Sequence, residues 1–89
     1  MTMYNVALRA WALALKREFA QAEKLMTRAI KETPTAHVTD LAELYLIGSH
    51  VLSAEGKQEA ARRSLEKAQV YDRYGVYGII AQRELDEMR

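Results

Sequence analysis

Residues 18–29 read EFAQAEKLMTRA, and residues 57–68 read KQEAARRSLEKA. In each segment a small residue is followed by a bulky one four positions on and by a small one three further: Ala22, Met26 and Ala29, then Ala61, Leu65 and Ala68. Those spacings put all three side chains on one helical face. Corresponding positions lie 39 residues apart, and each segment follows an apolar stretch after a very short break. A unit that recurs in this way reads as a helical hairpin stacked on its copy, because neighbouring hairpins bury what one cannot bury alone.

The rest of the chain agrees with a helical reading. Alanine and leucine supply 24 of the 89 residues, against 14 for Val, Ile and Thr, and there are only four Gly and one Pro. Unbranched side chains lose little rotamer freedom in a helix, and few turn residues mean few turns. The patterns predict helices over 3–15, 18–31, 41–54 and 58–71, with a frayed fifth one ending near Met88. Asp40 with Glu43 reads as a capping box ahead of the third helix. Gly56 suits a left-handed C-cap, Pro34 closes the second helix, and 74–78 reads as a turn. The expected fold is all-α, about five helices in stacked antiparallel hairpins, as one domain over residues 1–89.

The pieces around the repeat resemble the tetratricopeptide repeat. That family is a 34-residue helix–turn–helix whose second helix opens on a small residue, with a bulky one four later and Ala three after that. Gly56 stands at the turn glycine, Phe19 at the aromatic before the small residue, and Pro34 at a repeat end. Leu44, Ile47, Gly48 and Val51 follow the first-helix pattern if one extra residue is allowed before Gly56. Arg17 occupies the first repeat's turn-glycine position, and Ala10 and Arg9 depart from the pattern as well. The resemblance implies repeats over 3–36 and 40–72 and a capping helix over 76–88.

Lys+Arg 13 against Asp+Glu 12 leaves a formal charge of +1, without the basic excess usual for nucleic-acid domains. Zero cysteines exclude disulfides and thiolate zinc sites. The N-terminal apolar stretch has no basic region before it and is broken by Arg9, so it reads as a helix of the fold and not as a signal peptide. No uncharged run approaches the ~18 residues of a membrane span. A cytoplasmic protein is expected. His37 and His50 make no local ligand pair. Ser49, Ser53 and Ser64 lack a nucleophile-elbow context, and Gly75 and Gly78 make no phosphate loop. No enzymatic activity, metal or cofactor is expected.

The first helix is the unusual element. Tyr4–Leu8–Trp11–Leu15 and Val6–Ala10–Leu13 are two apolar stripes where a surface helix has one, and a single partner helix covers only one. The resemblance implies a ligand groove along the first helices of the repeats. Its expected lining is Tyr4, Ala7, Leu8, Trp11 and Leu15, then Tyr45, Ser49 and Leu52, continued by Tyr77. The expected function is a non-catalytic adaptor or chaperone-like module that binds a protein, peptide or helix there and forms a homodimer through its first helix. The alternative is a small regulatory protein that contacts nucleic acid through Lys16, Arg17, Lys24, Arg28, Lys31, Arg62, Arg63, Lys67 and Arg73, mostly on the outer helices.

Overall fold

The computed structural model describes residues 3–88, so Met1, Thr2 and Arg89 of the expected domain lie outside the described residues. It is all-α, with five helices: α1 (Met3–Leu15), α2 (Phe19–Glu32), α3 (Val38–Ala54), α4 (Gln58–Tyr71) and α5 (Val76–Glu87). α1 packs on α2 and α3 on α4, α1 and α3 lie side by side, and α5 rests on α4 and α3. Among the described residues the backbones of α2 and α4 do not approach closely, and side chains of both line a shared groove. The expected hairpin stack is therefore present as two layers, α1, α3 and α5 in one and α2 and α4 in the other. Extents of 33 × 33 × 15 Å fit a slab two helices thick, since packed helix axes lie about 8–10 Å apart.

Both hairpins turn in the same way. Arg17 and Gly56 take left-handed backbone, at φ 65° and 80°. Their hydrogen bonds correspond one for one. Arg17 N donates to Ala14 O and Glu18 N to Leu13 O, as Gly56 N donates to Ser53 O and Lys57 N to Leu52 O. These bonds satisfy the last carbonyls of α1 and α3 and reverse the chain within three residues. The first repeat makes the turn without glycine, at a steric cost of about 1–2 kcal/mol.

The small–bulky–small triplets are the core. All six residues are buried. Ala22, Met26 and Ala29 pack with Val6, Ala7, Ala10 and Ala14 of α1 and with Leu44, Ile47 and Val51 of α3. Leu65 and Ala68 pack with Leu46 of α3 and Ala81 of α5. The alanines let helix backbones approach, and the larger side chains fill the space between. Gly48 serves the same end, since a Cβ there would already touch Ser64 Oγ at 3.4 Å and Met26 Cγ at 3.7 Å.

One element start and one expected turn differ from the sequence reading. α3 begins at Val38, not Leu41, so Asp40 is no N-cap. It sits inside the first turn, where a carboxylate is favoured by the unpaired N–H groups, 3.7 Å from His37 Nδ1. α5 begins at Val76, where the repeat resemblance starts its capping helix, so Tyr77 and Gly78 are helical and not part of the turn expected over 74–78. Asp72 causes this early start: its Oδ2 accepts a bond from Tyr77 N at 3.2 Å. α5 starts so close to the end of α4 that a Cβ on Gly78 would overlap the Asp72 carbonyl oxygen. Among the described residues no helix is long and apolar enough to cross a membrane.

Candidate protein-binding site

The face on which α1, α3 and α5 lie side by side carries the aromatic residues of α1. Tyr4, Leu8, Trp11 and Leu15 recur at four, three and four, hence on one side of the helix. α2 and α3 cover the opposite side, where Val6, Ala7, Ala10 and Ala14 are buried. The first stripe stays open: Tyr4 and Leu15 are exposed, Leu15 by 67%, and Leu8 and Trp11 are half-buried.

A band of side-chain contacts continues from Trp11 across all three helices. The Trp11 ring stacks on His50 of α3, with centroids 4.7 Å apart and 19° between planes. His50 Nε2 lies 3.4 Å from Glu84 Oε1 of α5. One turn pair away, the Tyr77 hydroxyl donates to Glu43 Oε2 at 2.6 Å, again joining α5 to α3. That bond, then burial, then the Glu43 charge push the Tyr77 phenol up to about 12, since ionising it would place two negative charges side by side. The face thus offers an open apolar stripe beside a preformed aromatic and acidic band.

The nine residues expected at the site divide into three sets. Tyr4, Leu8, Trp11, Leu15 and Tyr77 lie on this face or at its edge. Ala7 and Ser49 are buried in the helix packing and present nothing to a partner; Ser49 Oγ donates to Leu46 O at 2.6 Å. Tyr45 and Leu52 line a different surface, an outer groove of about 400 Å³ between α2 and α4. Tyr45 stacks there on Tyr71, centroids 5.7 Å apart, with Lys67 Nζ 5.3 Å from its ring centre. The reason is register. The repeat runs from α1 to α3 at 39 residues with no extra residue at the turn, so Tyr4, Leu8, Trp11 and Leu15 correspond to Glu43, Ile47, His50 and Ala54. His50 and Glu84 are the face residues that the expected groove lacks. Adding 39 to Trp11 finds His50 directly.

The turn after α3 holds an unusual carboxylate. The Glu55 side chain is almost fully buried, and neither oxygen has a hydrogen-bond partner. Its nearest compensation is Lys57 Nζ at 3.7 Å, which also donates to Glu23 Oε1 at 3.0 Å. The Glu23 bond first, then the Glu55 charge, hold the Lys57 ammonium above its usual range.

The basic residues of the outer helices are largely committed within the chain. Arg28 bonds Glu32, Arg62 bonds Glu59, Arg63 lies 3.9 Å from Glu59, and Lys67 sits over Tyr45. Among the described residues no three His, Cys, Asp or Glu side chains are grouped to hold a metal ion. No family model matches the chain, and no curated protein and no solved structure matches it either, so the meaning of this face rests on its own residues.

Proposed function

We propose that this chain is a tetratricopeptide-like, non-catalytic interaction module of the cytoplasm, an adaptor or chaperone-like protein that holds a peptide or helix on its α1–α3–α5 face. The observation that carries this reading is the stripe Tyr4–Leu8–Trp11–Leu15, whose ends Tyr4 and Leu15 are exposed while Leu8 and Trp11 are half-buried against the core. Tyrosine and tryptophan are enriched among the residues that dominate binding energy. Glu43 and Glu84 lie beside the stripe, which suits a partner with an apolar ridge flanked by Lys or Arg.

Spacing supports the family reading. Tyr77 bonds Glu43 and Glu84 meets His50, and both pairs are 34 residues apart. That is the length of the family's repeat. The 39-residue step from α1 to α3 exceeds it by five, taken up between the end of α2 and the matched part of α3. Self-association through α1 would occupy the same stripe, so those two uses of α1 exclude each other.

Panning a random-peptide library against the immobilised chain tests the reading. Enriched peptides should combine apolar and basic residues. They should lose at least about tenfold in affinity against Tyr4→Glu/Leu15→Glu, two exposed sites whose change leaves the fold intact. No enrichment, or equal binding to that variant, contradicts the reading.

A further inference from the structure

Histidine is the side chain that gains or loses its charge between pH 5 and 8, and His50 stands where α1, α3 and α5 are joined. Its ring lies on that of Trp11, with centroids 4.7 Å apart. Its Nε2 lies 3.4 Å from Glu84 Oε1, a pair that is ionic only when the imidazole carries a second proton. Both side chains of the pair reach solvent, at 33% and 27% exposure, so protons and a docked partner can reach them.

The other charges of the three helices are engaged away from this pair. α1 has no acid, and Arg9, its one base, lines the cleft towards α2. α3 has no base. Of its acids, Asp40 lies beside His37, and Glu43 accepts the Tyr77 hydroxyl. On α5, Arg83 and Asp86 line one cleft against α4, and Glu87 lines another. Glu84 is left, and among the described residues His50 is the one partner of its carboxylate.

The two protonation states of His50 present different surfaces. With the ring neutral, Glu84 keeps its full charge beside the α1 stripe and is open to a Lys or Arg of a bound peptide. With the ring protonated, the indole face and the carboxylate both attract it. Glu84 is then matched inside the chain, and the seam gains a positive charge that repels a basic partner. We propose that His50 is a proton switch on the α1–α3–α5 face, whose protonation withdraws Glu84 and weakens the hold on basic peptides as the pH falls from about 7.5 to about 5.5. The effect on peptides rests on the peptide-binding reading, whereas the change of charge against Trp11 does not.

Two titrations of the full chain between about pH 7.5 and 5.5 test it, a window that spans histidine ionisation and stays above that of ordinary carboxylates. The first follows Trp11 emission in the free protein. Emission should fall with the pH, since a positive charge arrives on the indole face. His50→Gln should abolish the change, and His37→Gln should keep it, because His37 meets Asp40 and not Trp11. The second follows the binding of an N-acetylated, histidine-free basic peptide taken from the library selection. Its dissociation constant should rise at least about threefold from pH 7.5 to 5.5, the scale of a partly exposed charge pair. His50→Gln and Glu84→Gln should each remove that dependence, while Glu84→Gln keeps the emission change. Emission that ignores pH, or that changes equally in His50→Gln, overturns the proposal. So does a peptide affinity that is equal at both pH values, or a dependence that survives in either glutamine variant. If the library yields no peptide, the binding reading fails alone, and the emission titration still decides whether His50 switches the charge of the face.

Discussion

Trp11 stacks on His50 at 4.7 Å, and the two residues stand one repeat apart, at equivalent positions of α1 and α3. One hairpin therefore reads its neighbour through its own repeat position. The pair also ties the open stripe of α1 to the acidic band of α3 and α5. Trp11 is the only tryptophan, so its fluorescence reports on the contact without interference. His50→Ala should shift the emission to the red as water reaches the exposed ring face. It should also cost about 1 kcal/mol, the usual value of an aromatic pair. An unshifted spectrum would mean that His50 does not cover the indole.

The two turns predict substitutions of opposite sign. Arg17 carries a side chain at φ 65°, where glycine has no steric cost. Arg17→Gly should be neutral or should stabilise by up to about 1 kcal/mol in urea unfolding. Gly56 has open space around its missing Cβ. Gly56→Ala should therefore lose only the backbone term, about 1 kcal/mol.

Gly78 differs from Gly56 because contact and not dihedral angle demands it. A Cβ there overlaps backbone of Asp72, which no side-chain rotation relieves. Gly78→Ala should cost more than about 2 kcal/mol, as overpacking against backbone does, and should release α5. Hydrogen exchange should show lost protection over 79–87 before any change in α1 or α2.

Tyr77 gives the fold an alkaline limit. The folded phenol keeps its proton up to about 12, while an unfolded one loses it near 10.0. The folded state thus binds more protons between those values. The stability that the Tyr77–Glu43 bond contributes is complete below about pH 10 and is lost as the pH rises towards 12. Absorbance titration should show one of the five tyrosines ionising well above its ordinary value. Glu43→Gln should bring it back down, because the amide carries no charge beside the phenol.

Most of the fold was legible because it is written in the residues that pack. The triplets Ala22–Met26–Ala29 and Ala61–Leu65–Ala68 mark their buried faces by spacing alone, and α1 and α4 have the expected bounds. The start of α3 was not, since Asp40 has a cap's chemistry but sits inside the helix, and Gly75 and Gly78 read as a turn where Asp72 accepts a bond from the first turn of α5. The binding face was half legible. On α1 the stripe is apolar and unmistakable. On α3 the equivalent positions are Glu43, Ile47, His50 and Ala54, whose chemistry has changed while their place has not. Apolar patterning therefore led to Tyr45 and Leu52, which face the outer groove, and only the repeat register identifies His50.

The most direct test of the central claim is to map where a library-selected peptide binds, by amide chemical-shift perturbation on the isotope-labelled chain. The account predicts the largest shifts at Tyr4, Trp11, His50, Tyr77 and Glu84, with Tyr45, Leu52 and Lys67 unmoved. Shifts centred on the outer groove between α2 and α4, with Trp11 and His50 silent, would contradict it.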